Sequence, residues 1–70
     1  MVTRVELADY LAETFEALPT VERSDMLRTL EKKNAPADVV NLVAARVPDG
    51  VRLHHMRMLW AYLGDLPLSR

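Results

Sequence analysis

Proline and glycine divide this chain into four short segments, and this punctuation limits the folds open to it. Pro19 ends the first segment, because a residue before proline is disfavoured in the α-helical region. Pro36 suits the first position of a helix, Pro-Asp-Gly at 48–50 is a turn signal, and Gly64 suits the position just after a helix. The sequence therefore predicts an all-α fold, a compact bundle of four short helices forming a single helical domain over residues 1–70.

Length and composition set further limits. A chain of this length buries only about 60% of its surface on folding. Without cysteine it has no disulfide to add stability. Half of the residues are apolar and the net charge is −1, which is typical of a globular protein. No run approaches the roughly 20 apolar residues that cross a bilayer, and the N-terminal segment is acidic, unlike a signal peptide. The expected location is cytoplasmic.

The first segment has the clearest amphipathic pattern. Thr3 and Glu6 have the spacing of a capping box, in which the threonine caps the helix and the carboxylate reaches back. This helix is predicted to end near Leu18, just before the proline. Its predicted apolar face is Leu7, Ala8, Leu11, Ala12, Phe15 and Leu18, and its acidic face is Glu6, Asp9, Glu13 and Glu16.

The second and third segments are predicted to be shorter helices. Thr20 is expected to cap the second helix, and Asn34 to take the left-handed position after it. Pro36 is expected to be the first residue of the third helix. Valines lower the helix propensity of this segment, so a buried strand competes, but no partner strand is visible. The apolar positions are Met26, Leu27 and Leu30, then Val39, Val40, Val43 and Val47.

The segment Val51–Leu63 holds both histidines, the only tryptophan and no acidic residue, and it is predicted to be the fourth helix. Drawn as a helix, it carries apolar side chains on two faces, whereas an ordinary surface helix carries them on one. The predicted core face is Leu53, Met56, Leu59, Trp60 and Leu63, flanked by Arg52 and Arg57. The opposite face is Val51, His54, His55, Met58, Ala61 and Tyr62.

Two interpretations of this opposite face remain open, deeper burial and a protein partner. Methionine, arginine and aromatic residues together are typical of interface cores. Residues 1–22 carry one cation against five acids, a net −4, and residues 23–70 carry eight cations against five acids, a net +3. Complementary association with a partner or a second copy is therefore predicted. The predicted partner-binding residues are His54, His55, Arg57, Met58 and Tyr62, with Glu6, Asp9, Glu13 and Glu16 as their complement.

The residue pattern argues against catalysis and metal binding. Adjacent residues His54 and His55 diverge by about 100° on a helix, and no His-Glu-x-x-His pattern exists. No serine or cysteine stands beside a positioned base, and no glycine-rich loop is present. We therefore expect no enzyme activity, no metal, no cofactor and no small-molecule substrate. A helix-turn-helix of the third and fourth helices is the alternative, but a pI near 6.0 is low for a nucleic-acid-binding protein.

Several short motifs between residues 17 and 65 carry a family resemblance. They are Ala-Leu-Pro at 17–19, Arg23, Ala-Asp-Val-Val at 37–40, Pro-Asp-Gly-Val at 48–51 and Gly-Asp at 64–65. This order resembles the small helical effector-associated domains of actinobacterial conflict systems. The resemblance implies a death-domain-like adaptor that couples a sensor or protease to its effector through like-with-like helical contacts.

A second resemblance is to a small actinobacterial domain of unknown function. It is carried by Pro19 followed by Asp-Met-Leu at 25–27, by Ala35 and Val39, and by Val-Pro-Asp at 47–49. This resemblance implies no activity.

Overall fold

The computed structural model describes residues 2–67, and within this range it contains four α-helices and no β-strand. The predicted all-α bundle of four short helices is confirmed. None of these helices has the length and apolar character needed to cross a membrane. The helices are α1 (Arg4–Ala17), α2 (Arg23–Lys32), α3 (Ala37–Arg46) and α4 (Met56–Leu63).

The first helix begins as its cap predicts. The Glu6 backbone N–H donates to the Thr3 hydroxyl at 3.1 Å. This bond satisfies one of the free donors at the helix start. The helix ends at Ala17, as expected from the following proline. Its buried residues are Leu7, Leu11 and Thr14, whereas the predicted core residues Ala12 and Leu18 are exposed.

The second helix begins later than predicted. Its N-cap is Glu22 rather than Thr20, and the Glu22 backbone N–H donates to the Asp25 carboxylate at 3.0 Å. The helix cannot begin earlier, because the backbone of Val21 is already paired with another part of the chain. After the helix, Asn34 has a φ of 56°. The predicted left-handed residue is therefore confirmed.

The third helix is confirmed over the competing strand. Pro36 was predicted to be the first residue of the helix, whereas it is the N-cap and the helix begins one residue later, at Ala37. The Pro36 carbonyl accepts from the Val39 and Val40 N–H groups at 3.0 and 3.2 Å. The buried valines are Val39 and Val43 within the helix and Val47 at its end. Valine therefore supplies this helix with its core face despite its low helix propensity.

The predicted fourth helix over Val51–Leu63 is wrong in its first five residues, because α4 begins only at Met56. The segment before it forms an isolated antiparallel β-bridge, in which Val21 and Leu53 exchange two backbone hydrogen bonds of 2.8 and 2.9 Å. Both side chains are also fully buried. A backbone whose N–H and C=O groups serve this bridge cannot also form the first turn of a helix.

Side chains join the first three helices into an antiparallel arrangement. The Thr14 and Thr29 hydroxyls hydrogen-bond between α1 and α2, and Lys33 Nζ donates to the Tyr10 carbonyl at 3.0 Å. Arg23 at the start of α2 donates to the Ala44 carbonyl near the end of α3 at 3.3 Å. The buried core shared by the elements is Val2, Leu7, Leu11, Val21, Met26, Leu30, Val39, Val43, Val47, Leu53, Leu59 and Leu63.

Two arginines hold the C-terminal end of α4. Arg4 Nε donates to the Leu66 carbonyl at 3.1 Å, and its guanidinium also binds the Gly64 carbonyl and lies 5.6 Å from the centre of the Trp60 ring. Arg46 makes a two-point ion pair with Asp65, with both N–O distances 2.9 Å. Hydrogen bonding between the two groups lowers the pKa of the exposed Asp65 carboxyl and raises the pKa of Arg46.

Truncation of the bridge residue Leu53 tests this packing. We expect Leu53→Ala to lower the free energy of unfolding by about 2–5 kcal/mol, because a fully buried leucine leaves a cavity. The neighbouring Arg52 is exposed, so Arg52→Ala should change this free energy by less than about 0.5 kcal/mol. Urea unfolding followed by circular dichroism measures both, and Val21→Ala offers a smaller truncation of the same bridge. Equal stability of the Leu53 and Arg52 variants would contradict the buried bridge.

Candidate protein-interaction site

Four basic side chains lie together in sequence on the surface around the start of α4. Arg52 and His54 are in the extended segment, His55 is the N-cap of α4, and Arg57 is in its first turn. All four are exposed. We call these four residues the basic edge. The sequence pattern predicted these residues on the flank and one face of a longer helix, whereas most of them have extended backbone in the structure.

The basic edge includes the start of α4, and the residues there stabilise a helix poorly. His55 has extended backbone angles, and its side chain makes no capping hydrogen bond. The first turn has no acidic residue, and it holds Arg57 close to the positive end of the helix dipole. The His54 N–H donates to the Met58 sulfur at 3.3 Å, and a thioether is a weak acceptor. Local stabilisation is therefore weaker here than at the capped start of α1.

The remaining residues of the predicted second face differ from the basic edge in burial. Met58 and Tyr62 are half-buried and pack against the core, and Val51 does the same, whereas Ala61 is exposed. On the predicted core face, Leu53, Leu59 and Leu63 are buried, and Met56 and Trp60 are half-buried. Deeper burial thus applies in part to Met58 and Tyr62, and the role of all these residues in binding a partner stays a prediction.

The acidic face of α1 is divided between two environments. The Glu13 carboxylate lies 3.9 Å from Nζ of Lys33, the C-cap residue that follows α2, and forms an ion pair with it. Within residues 2–67, Glu6, Asp9 and Glu16 make no ion pair, and neither do the members of the basic edge. Within this range, these acids and the basic edge are therefore free of intramolecular ion pairs. That they bind a partner or a second copy stays a prediction.

A groove lies between α1 and α2, and it was not predicted from the sequence. Its volume is about 450 Å³, within the range of ligand sites. Ala17 and Leu18 give it an apolar wall, and the hydrogen-bonded hydroxyls of Thr14 and Thr29 lie between the two helices. Its charged lining is Glu13, Asp25, Arg28, Lys32 and Lys33. Leu18 was predicted to lie on the core face of α1, whereas it is the C-cap of this helix and is 38% exposed.

Coordination chemistry is not assembled in the described part of the chain. Within residues 2–67, no three side chains of the His, Asp and Glu types come close enough to hold one metal ion. The buried side-chain nitrogen and oxygen atoms in this range all have hydrogen-bond partners. The expectations of no metal, no cofactor and no enzyme activity stay predictions.

The fold places the chain in the class of small all-α four-helix proteins. Comparison with family models, with curated proteins and with solved structures gave no match. Membership of the effector-associated domains therefore stays a prediction based on the motifs between residues 17 and 65.

The uncapped start of α4 gives a stability prediction. We expect His55→Ser to raise the free energy of unfolding by about 1 kcal/mol, because serine caps a free N–H of the first turn. For a domain of this size, that corresponds to a rise in melting temperature of roughly 4–8 °C. His54→Ser, one residue earlier, is the matched control and should leave the melting temperature nearly unchanged. An equal rise in both variants would contradict the assignment of His55 as the N-cap.

Proposed function

We propose that the protein is a small protein-interaction module that binds an acidic surface of a partner protein through the basic edge. The observation that carries this proposal is the composition of the start of α4. Exposed basic residues occupy positions where a capping residue and an acid would be more stabilising. Local choices that oppose stability are typical of functional sites, because function can be selected at the expense of stability.

The chemistry of the basic edge suits an acidic partner. Arg52 and Arg57 are exposed and make no ion pair within residues 2–67, so a partner's carboxylates would not have to displace an internal one. Complementary charge speeds association and sets orientation. The half-buried side chains of Met58 and Tyr62 adjoin this edge in sequence, and both residue types are common in interface cores.

Nucleic-acid binding is the alternative function, and two observations favour a protein partner over it. Nine residues separate α3 from α4, whereas a helix-turn-helix has a turn of three or four residues. The connection from α2 to α3 is shorter, but the exposed residues of α3 include Asp38, Asn41 and Ala45, and its first cation is Arg46. An acidic residue in the first turn would repel phosphates in a recognition helix.

An adaptor role in a bacterial regulatory or defence system is the finer form of the proposal. It is supported only by the resemblance of residues 17–65 to effector-associated domains. The basic edge would then recognise the sensor or effector, and a second surface would be needed to hold the other component.

Binding of two anionic probes tests the proposed function. The probes are an amphipathic peptide of glutamate and leucine residues and a random-sequence DNA duplex, each titrated into the labelled protein and followed by amide NMR shifts. We expect the peptide to shift the resonances of residues 52–58 and the duplex to shift none at physiological ionic strength. Arg52→Glu with Arg57→Glu should weaken peptide binding at least about tenfold, because two favourable charges become repulsive.

The matched control is Arg28→Glu with Lys32→Glu, which reverses two exposed cations far along the chain from the basic edge. This variant should retain the shifts at residues 52–58. Tight duplex binding that depends on Arg52 and Arg57 would support the nucleic-acid alternative instead. A basic edge that responds to neither probe would contradict the proposal.

A further inference from the structure

Within residues 2–67, two large hydrophobic side chains are exposed, and both belong to α1 and its end. Val5 is 51% exposed in the first turn, and Leu18 is 38% exposed at the C-cap. When a second surface covers large apolar side chains with this exposure, the free energy of the complex falls. The charged residues around Val5 differ in sign from those around Leu18, so the two surfaces are complementary.

Val5 lies in an acidic environment. Glu6 follows it directly, and Asp9 is one helical turn further on the same side, since residues four apart are neighbours on a helix. Neither acid makes an ion pair within the described residues. We call Val5, Glu6 and Asp9 the acidic end.

Leu18 lies in the α1–α2 groove, where the cations are in excess. Arg28, Lys32 and Lys33 line this groove against Glu13 and Asp25. The two ion pairs formed among them are long, at 3.9 Å each, and Lys32 makes none within the described residues. Arg28 has a side-chain exposure of 78%, so it is open to an external carboxylate. The groove thus offers an apolar wall beside a net positive rim.

The acidic end and the groove cannot meet within one molecule. Val5 and Leu18 are thirteen residues apart along α1. A helix rises about 1.5 Å per residue, which separates the two by about 20 Å. We infer that the acidic end of one copy docks into the α1–α2 groove of a second copy. Val5 then packs against Leu18, and Glu6 and Asp9 pair with Arg28 and Lys32.

This contact differs from the pairing predicted from the sequence, in which the acidic face of α1 faced the histidines of a second copy. The groove is the better complement, because it offers an exposed apolar residue next to its cations, whereas Met58 and Tyr62 are already half-covered by the core. Glu13 is excluded from the contact face, since it lines the groove itself.

The contact joins two different surfaces, so each copy that accepts one neighbour can dock into another. Such a head-to-tail interface produces a ring or an open chain rather than a symmetric dimer. The basic edge shares no residue with either of the two contact surfaces. The inference therefore stands independently of the proposed function, and the two together would give a scaffold that displays several partner sites.

Charge reversal on both surfaces tests the inference. The groove variant is Arg28→Glu with Lys32→Glu, and the acidic-end variant is Glu6→Lys with Asp9→Lys. Sedimentation equilibrium of the wild type at low salt should show mass that grows with concentration beyond a dimer. Each variant alone should raise the dissociation constant about tenfold, whereas in their equimolar mixture both contacts between unlike copies join opposite charges and are favourable. That mixture should therefore recover assemblies longer than a dimer, in which the two variants alternate.

Three controls decide the result. Circular dichroism and urea unfolding establish that each variant folds, and Val5→Ser with Leu18→Ser should also weaken association without changing any charge. Arg52→Glu with Arg57→Glu should leave association unchanged, since none of the residues of the basic edge belongs to either contact surface. A wild type that is monomeric at every concentration would overturn the inference. So would loss of association in the basic-edge variant, or a mixture that fails to recover the contact.

Discussion

The backbone bridge between Val21 and Leu53 is the constraint on which the rest of the structure depends. It joins the α1–α2 connection to the segment before α4 by two hydrogen bonds, and it buries both side chains. Because these residues are committed to the bridge, α2 begins after Glu22 and α4 begins only at Met56. This short chain has no cysteine and therefore no disulfide. A contact that joins distant parts of the sequence and also fills the core is an effective way to hold its four helices together.

The parts of the fold that were predictable from the sequence are those controlled by local chemistry. The Thr3 cap, the end of α1 before Pro19 and the left-handed Asn34 each depend on neighbouring residues, and each was predicted correctly. The start of α4 was predicted wrongly, because apolar spacing at the helical period cannot detect a backbone pair formed with residue 21. Thr20 failed as a cap for the same reason, since Val21 separates it from the helix.

The candidate site shows the same division. The sequence pattern predicted both histidines on the second apolar face of a helix, whereas both precede α4 and are exposed. The predicted longer helix gave Met58 and Tyr62 the same exposure as the histidines. In the structure both are half-buried against the core, whereas Arg57 is exposed. The α1–α2 groove could not be predicted, because it depends on the register in which Thr14 meets Thr29. The basic edge and the groove thus depend on contacts between segments distant in the sequence rather than on any single motif.

The most direct test of this account measures backbone conformation and protection at the bridge. In amide NMR of the wild type, the carbon chemical shifts of residues 51–55 should be those of extended backbone, and helical shifts should begin at Met56. The Val21 and Leu53 amides should exchange with solvent as slowly as those of the core helices, since their hydrogen bonds open only when the core opens. Helical shifts from Val51 onward, with rapid exchange at Val21, would contradict the bridge and the surface that depends on it.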